Sequence, residues 1–245
     1  MYNAYNRRMS SLVPMHGTVV SVQHAQLPAP ADVVIEALAP LLSDRRLQRI
    51  DEVVSQRVRS VVAVLEDIVD PHNASAVLRS AEAFGTQEVH VIESMQTFCA
   101  APAVTQGTEK WLDIFLHRSS PYCVEHLHQR GYHVLVADGN AANAASLDEL
   151  NSLDKLAVVF GNEHSGASAE IRKLSDGTVS IPMRGFVESL NLSVAAAVVL
   201  QKATDGREGD LSLQDAQHLR ARFMVASIDR AHEIVADYMR RRQAS

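Results

Sequence analysis

Short apolar runs alternate with amphipathic segments through the middle of the chain, and this alternation predicts most of its elements. Six apolar runs are typical of buried strands, at Val61–Leu65, Glu88–Ile92, Trp111–Leu116, Tyr132–Ala137, Lys155–Phe160 and Thr178–Ile181. Segments with helical spacing lie between them, at Asn73–Phe84, Pro121–Arg130, Ser168–Leu174 and Asn191–Ala203. Strands that alternate with helices predict an α/β fold with a mostly parallel sheet and helices on both faces.

The two ends of the chain have a different pattern. The predicted parts are a flexible tail at 1–30, an N-terminal helical extension at 31–59, the α/β domain at 60–204 and a C-terminal helical extension at 205–245. Apolar spacing predicts N-terminal helices at Asp32–Leu42 and Asp44–Arg57, with Ser43 placed to cap the second. The C-terminal segment Leu211–Arg242 is one long helix or two.

The stretch Ile181–Leu200 combines a shaped loop with an apolar helix. Pro182 ends a strand and Gly185 permits unusual backbone angles, so the loop that contains both has a specified shape. Asn191 suits the N-cap of the helix that follows. That helix is too apolar to face solvent and is expected to pack against the rest of the domain or against a second copy of the chain. We expect a ligand at such a loop.

The chain is mildly acidic, so its net charge does not indicate nucleic-acid binding, and only local groups of arginines could do so. It has 23 Lys+Arg and 29 Asp+Glu, for a net charge of −6, whereas nucleic-acid-binding domains are usually basic. Two arginine groups remain candidates for a local RNA-binding surface, Arg45, Arg46, Arg49, Arg57 and Arg59 in the first and Arg240, Arg241 and Arg242 in the second. The alternative for the first group is a solvated helix face balanced by neighbouring acids.

Several classes of protein are not indicated. Two cysteines, Cys99 and Cys123, give no disulfide framework, which favours a reducing cytoplasm. The longest apolar run, Val194–Leu200, is far shorter than a membrane span, so no membrane association is expected. The histidines are scattered and no C-x-x-C or H-E-x-x-H is present, so we predict no metal site. Glycine-rich phosphate loops are also absent.

Three loops at predicted strand ends carry the candidate chemistry, because ligands gather at the carboxyl ends of parallel strands. The first is EDIVDPHNASAVLRSAEAFG, the second is GNEHSG, and the third is the loop within Ile181–Leu200. Asn73 is either a helix cap or a functional amide. Arg79 is either a rim residue or a phosphate fork. Glu163 is either a loop acid that accepts backbone N–H bonds or a catalytic acid.

Taken together, these loops resemble a known family. The segments NASAVLRSAEAFG, VVFGNEHSGAS and IPMRGFVESLNLSVAAA, in this order and spacing, resemble the three motifs of the SPOUT-class RNA ribose 2′-O-methyltransferases of the TrmH family. The segment TQGTEKWLDI resembles an element that this family has between its motifs. The resemblance extends from about Ala31 to about Tyr238.

The resemblance implies a fold, a cofactor and a set of site residues. Members tie the C-terminal part of the domain into a trefoil knot, bind S-adenosylmethionine in its loops and form homodimers through the last knot helix. By motif position, the cofactor contacts fall at Ala137, Gly161, Ile181 and Leu190. The catalytic set falls at Asn73, Arg79, Glu163 and Asn191, with Ser189 and Ser193 flanking the last.

The resemblance also implies an RNA substrate. Its tRNA-modifying type methylates guanosine 18 of tRNA and grips the tRNA with helices before and after the knot domain, where this chain has its two extensions. One alternative is an rRNA 2′-O-methyltransferase of the same superfamily. Another is a non-catalytic RNA-binding or assembly factor that keeps the knot fold.

Overall fold

The computed structural model describes residues 20–21, 27–95, 98, 107–139, 141 and 143–243. Most of the tail predicted at 1–30 lies outside the described residues, as does Cys99. The chain forms two compact units. The first contains residues 59–207 and a two-residue strand, and the second contains residues 27–58 together with 208–243.

A seven-stranded sheet forms the centre of the first unit. Its strands are β1 (Val20–Ser21), β2 (Val61–Glu66), β3 (Glu88–Ile92), β4 (Asp113–His117), β5 (His133–Ala137), β6 (Leu156–Phe160) and β7 (Gly177–Val179). Their order across the sheet is β1-β4-β3-β2-β6-β5-β7. All pairs are parallel except β1 with β4. The predicted α/β class with a mostly parallel sheet is confirmed.

The register of the central strands determines where their loops begin. Strands β2 and β6 are buried along their whole length, as strands covered on both faces must be. Leu65 of β2 lies beside Phe160 of β6. The first two candidate loops therefore start side by side at the carboxyl edge of the sheet.

Helices cover both faces of the sheet. They are α3 (Pro71–Ala83), α4 (Ser120–Gln129), α5 (Ala169–Leu174) and α6 (Leu192–Thr204), numbered after α1 (Ala31–Leu38) and α2 (Asp44–Ser55) of the second unit. Val62 and Val64 share a cluster with Leu127 of α4 and Ile171 of α5. The side chains between them in β2 point to the opposite face, where α6 packs on β2 and against α3.

Several predicted boundaries move by one to three residues, each for a local reason. Helix α3 starts two residues earlier than predicted, because Asp70 accepts from the His72 amide at 2.8 Å and is the N-cap, with Pro71 as first helical residue. Asn73 is thus inside the helix and does not cap it. Trp111 lies in a 3₁₀ turn, Thr108–Trp111, rather than at the start of a strand. The N-cap predicted at Asn191 is confirmed.

The second unit is helical. It contains α1 (Ala31–Leu38), a 3₁₀ turn (Ala39–Leu41), α2 (Asp44–Ser55), α7 (Leu213–Val225) and α8 (Ala231–Gln243). The C-terminal segment is therefore two helices, and Arg230 between them has a positive φ of 59°. Ser43 caps α2 by accepting from the Arg46 amide. Among the described residues the longest helices have 13 residues, and none is a candidate to cross a membrane.

Arg207 forms hydrogen bonds with several segments at the edge of the first unit. Its guanidinium and Nε donate to the carbonyls of Leu150, Leu153, Asp154 and Ala203 and to Ser60 Oγ, at 2.6–3.3 Å. One cation thus satisfies the open ends of a helix and of a 3₁₀ turn (Leu147–Ser152).

Replacing Arg207 by alanine is expected to lower the free energy of unfolding by about 2–3 kcal/mol, because several carbonyls lose a charged donor at once. Urea unfolding of the two proteins measures the difference. The adjacent exposed Glu208→Ala is the control and should change stability by less than about 0.5 kcal/mol. Equal stability of Arg207→Ala and the parent would contradict this account.

Candidate active site

A cavity of about 580 Å³ opens at the carboxyl ends of β5, β6 and β7. This volume is within the range of small-molecule sites. Residues 137–139, 160–167 and 188–192 line it, with Arg172, Val179, Ile181, Met183 and Ala195. Ala137, Gly161, Ile181 and Leu190, the four residues predicted to contact a cofactor, are all in its wall.

The loop after β6 folds tightly over one side of the cavity. Asn162 and Gly166 exchange two backbone hydrogen bonds, at 3.1 and 2.9 Å, and Gly166 takes a positive φ of 68°. A Cβ atom on Gly161 would lie 2.1 Å from the amide nitrogen of Ala167. Only glycine fits at residue 161, so the shape of the loop is fixed by sequence.

Asn162 joins this loop to the loop after β2. Its side-chain amide donates to the carbonyl of Asp67 at 2.7 Å, and its oxygen accepts from the His164 amide at 2.9 Å. Asn162 is not among the site residues predicted from the sequence. An asparagine at the end of a strand, followed by a turn, was the available signal, because its side chain readily bonds to the backbone two residues on.

Glu163 is the acceptor around which the loop after β2 is arranged. Its Oε2 accepts from the Val69 amide, and its Oε1 accepts from the Asp70 amide and from Asn73 Nδ2, each at 3.2 Å. Glu163 thus accepts backbone N–H bonds, as one of its two predicted roles requires. Partial burial on its own raises the pKa of this carboxyl, but hydrogen bonds from main-chain amides and from Asn73 hold it below its ordinary value.

Asn73 and Asn191 continue this hydrogen-bond chain to α6. Asn191 Nδ2 donates to Asn73 Oδ1 at 3.2 Å. Asn191 Oδ1 accepts from the amide and hydroxyl of Ser193 at 2.8 and 2.6 Å, which is the N-cap bond. Glu163 lies in the loop after β6, Asn73 in the first turn of α3 and Asn191 at the N-cap of α6, and the structure brings them into one connected network.

Arg79 stands apart from this network in position. It is exposed on α3, about 9 Å along the helix axis from Asn73. Among the described residues, it is not one of those that line the cavity. The cavity has its own arginine, Arg172, which pairs with Asp138 and donates from Nε to the Ala167 carbonyl at 3.1 Å.

Some of the arginines predicted to contact RNA are exposed, and others are buried or have partners within the protein. Arg45, Arg49, Arg240, Arg241 and Arg242 are exposed, and the last four form surface ion pairs. Arg57 is 1% exposed and packs over the ring of Phe223, so it cannot meet a phosphate at the surface. The prediction that Arg57 contacts RNA is therefore wrong.

Two further arginines of that set have structural partners. Arg59 lies within 3.3 Å of Glu88 and 3.6 Å of Asp113, two buried carboxylates that its charge neutralises. Arg46 donates to Ser227 Oγ at 2.9 Å. The sequence could not reveal these partners, because they are distant along the chain.

Comparison with known proteins gives consistent matches. The model of the SpoU rRNA Methylase family matches residues 60–201. The tRNA (guanosine(18)-2′-O)-methyltransferase of Borreliella burgdorferi is 35% identical over 166 residues, which are 68% of this chain and 76% of that protein. The enzyme of the same name from Thermus thermophilus is 35% identical over 66% of this chain and 82% of that protein.

A solved structure is also similar. The crystal structure described as the A. aeolicus TrmH/SpoU tRNA modifying enzyme superposes with a TM-score of 0.67 and 25% identity. The match covers 76% of this chain and 98% of that one.

Proposed function

The chain belongs to the SpoU methylase family, and on this premise we propose that it transfers a methyl group from S-adenosylmethionine to the ribose 2′-hydroxyl of guanosine 18 in tRNA. The observation that carries the proposal is the cavity at the ends of β5, β6 and β7, which borders the network of Glu163, Asn73 and Asn191. Relatives that share a third of their residues carry this activity in their names.

The cavity fits S-adenosylmethionine in size and in the character of its wall. Gly161 must lack a side chain for the loop to close, and a Cβ on Gly139 would come within 3.1 Å of the Glu188 carbonyl, so main-chain groups form much of the wall. The cofactor has no phosphate, which is consistent with a site without a glycine-rich phosphate loop. When bound, it supplies an electrophilic methyl group on a sulfonium.

The residues around the cavity would position and polarise the reacting ribose. Glu163 holds Asn73 through one amide hydrogen, and Asn73 in turn accepts from Asn191. Loops that are held in this way need little reorganisation when the substrate enters. A ribose hydroxyl is a poor nucleophile at neutral pH, so a nearby fixed positive charge would stabilise the oxygen as its proton leaves.

Although Arg79 lies outside the cavity wall, we propose that it provides this charge once RNA is bound, as an electrostatic clamp on the 2′-oxygen and a neighbouring phosphate, since arginine stays protonated in proteins. Arg79→Lys keeps the charge but loses the planar fork, so we expect about a tenfold lower rate of methyl transfer with an unchanged pH profile. Single-turnover rates from pH 6 to 10 test this. Recovery of the rate at high pH, with a new apparent titration, would show that Arg79 is a base. Arg220→Lys in the second unit is the control.

A substitution at Asn191 can separate its role as a helix cap from its contact with Asn73. Asn191→Ser keeps a capping oxygen but removes the amide that donates to Asn73. We expect at least a tenfold lower rate with stability within about 0.5 kcal/mol of the parent. Ser212→Ala, which removes the cap of α7, should do the opposite and cost about 1 kcal/mol without loss of rate. Unchanged activity in Asn191→Ser would exclude the contact from the mechanism.

The substrate is tested with labelled S-adenosylmethionine and defined RNAs. A tRNA transcript with guanosine 18 should be methylated at that ribose, and a transcript with adenosine 18 should not. Methylation of rRNA alone would establish the alternative substrate. No binding of S-adenosylmethionine at millimolar concentration would leave the non-catalytic alternative.

We also propose that the C-terminal part of the first unit is the trefoil knot of the family. After β7 at the edge of the sheet, the chain returns to α6, which packs on α3 beside the central strand β2. On its way it bonds to the loop after β5, since Ala145 accepts from the Ser180 amide and donates to the Thr178 carbonyl, at 3.2 and 2.8 Å. This close association of two loops supports the knot.

A homodimer through α6 is the proposed assembly. The buried side of α6 is covered within the first unit, by α3 and the sheet. Val194 and Val198 on the same helix remain 48% and 36% exposed, and Phe186 and Val187 in the preceding loop are exposed as well. This apolar surface supports an interface with a second copy, which light scattering would measure directly.

The exposed arginines of the second unit are proposed to contact tRNA phosphates, with Arg45 and Arg49 on α2 and Arg240, Arg241 and Arg242 at the end of α8. Surface ion pairs are weak, so phosphates can replace their carboxylate partners.

A cytoplasmic location is proposed too, and the free thiol of Cys123 supports it.

A further inference from the structure

Two neighbouring strands and a helix of the first unit bring ligand-type side chains together, away from the cavity. His90 on β3, His117 on β4 and Cys123 on α4 are each at most 1% exposed. One ligand atom from each lies within 4.8 Å of the other two. The closest pair is His90 Nδ1 and His117 Nε2, which are 2.9 Å apart.

His126 adds a fourth group to this cluster. It lies three residues after Cys123 on α4, which places both side chains on the same face of the helix. Its ring centroid is 5.7 Å from that of His90 and 5.6 Å from that of His117. One cysteine and three histidines, carried by three elements, are thus neighbours.

The ring nitrogens of these histidines are not fully used by the protein. Among the described residues, His90 Nε2, His117 Nδ1 and His126 Nε2 have no hydrogen-bond partner, although each atom is buried. The nearest carboxylate oxygen, Glu88 Oε2, is 3.7 Å from His90 Nε2, which is too long for a hydrogen bond. Buried polar atoms are rarely left in this condition. Of these three nitrogens, only His126 Nε2 is a candidate ligand atom, because His90 and His117 face each other through Nδ1 and Nε2, which lie 2.9 Å apart.

The ligand types in the cluster suit a cation rather than an anion, because imidazole nitrogens and a sulfur atom are metal ligands. A neutral imidazole and a cysteine are the ligands that Zn²⁺ prefers.

We propose that His90, His117, Cys123 and His126 bind one Zn²⁺ ion in a tetrahedral structural site. Two imidazole nitrogens that each lie 2.0–2.1 Å from such an ion are about 3.3 Å apart. The present separation of His90 Nδ1 and His117 Nε2 is 2.9 Å, so these two nitrogens must move apart by about 0.4 Å. Cys123 Sγ, which lies within 4.8 Å of both histidines' ligand atoms, must come to about 3.5 Å from each nitrogen. The thiol of Cys123 releases its proton to solvent as the Zn–S bond forms.

In this arrangement His90 Nε2 is free to donate to Glu88, as the second nitrogen of a zinc-bound histidine usually does to a carboxylate. The ion would fasten α4 to β3 and β4.

The zinc site does not depend on methyl transfer. The expectation of no metal site rested on the spacing of the histidines along the chain, and 27 residues separate His90 from His117.

Co²⁺ and Zn²⁺ titrations of the full chain test the site. Cys99→Ser serves as the parent, so that Cys123 is the single thiol. We expect one Co²⁺ per chain with a thiolate-to-metal charge-transfer band, displaced by one equivalent of Zn²⁺. Cys123→Ala and His117→Asn should lose the band and weaken binding more than 100-fold. His128→Gln, an exposed histidine of α4 that bonds to Asp176, should bind like the parent.

Circular dichroism establishes that each variant is folded. If a variant does not fold, the parent alone decides, because zinc should then raise its melting temperature and protect its thiol from alkylation. A folded parent that binds no Co²⁺ or Zn²⁺ at micromolar concentration would overturn the proposal. Equal binding by folded Cys123→Ala would overturn it as well.

Discussion

Replacing Glu163 by glutamine is expected to lower the rate of methyl transfer about 10²-fold, because a single displaced loop can misplace the reacting groups by an ångström. The carboxylate accepts from the Val69 and Asp70 amides with different oxygens. Glutamine has one acceptor oxygen and one NH₂ group, so one of these amides would face a donor. The loop after β2 would shift, and Asn73 would lose its fixed position.

The effect should be on the turnover step more than on tRNA affinity. Single-turnover rates at saturating tRNA and at neutral pH separate the two, and the lowered pKa of Glu163 ensures that the parent carboxyl is ionised there. Glu170→Gln, an exposed glutamate at the start of α5, is the matched control and should retain full activity. A Glu163→Gln rate within threefold of the parent would mean that these hydrogen bonds do not position the site.

The central strands could be predicted from the sequence because a strand that is buried on both faces needs a continuous run of apolar residues. The predicted strands Val61–Leu65 and Lys155–Phe160 are mostly continuous apolar runs, as strands covered on both faces must be, and both are confirmed to within one residue at each end. Boundaries that depend on caps were harder. Asp70 and Pro71 form a common helix start, so the cap that the sequence allows at Asn73 is not formed.

Candidate residues for the site could be named from the sequence, but the hydrogen bonds between them could not. The resemblance to the family gave Glu163, Asn73 and Asn191 as a set, but not that they bond to one another. Glu163 and Asn73 are 90 residues apart, and their contact follows from the pairing of β2 with β6. No local pattern encodes such a pairing. The burial of Arg57 and the cluster around His90 were missed for the same reason.

Gly161→Ala is expected to weaken binding of S-adenosylmethionine more than tenfold and to destabilise the first unit by about 1–3 kcal/mol. The added methyl would lie 2.1 Å from the amide nitrogen of Ala167 and 2.4 Å from the carbonyl carbon of Gly166. These are main-chain atoms, which cannot rotate away as a side chain can. The loop after β6 must therefore open, and this loop forms one wall of the cavity.

A second glycine of the cavity region provides the comparison for this prediction. An added Cβ on Gly185 meets no atom within 4 Å, so Gly185→Ala should leave both stability and cofactor affinity close to those of the parent. Calorimetric titration with S-adenosylmethionine and thermal unfolding measure the two effects together. If Gly161→Ala binds the cofactor as the parent does, the loop after β6 does not shape the cofactor site. If it unfolds without a ligand but is rescued by saturating cofactor, binding and closure of this loop are coupled, because a ligand stabilises the conformation that it prefers.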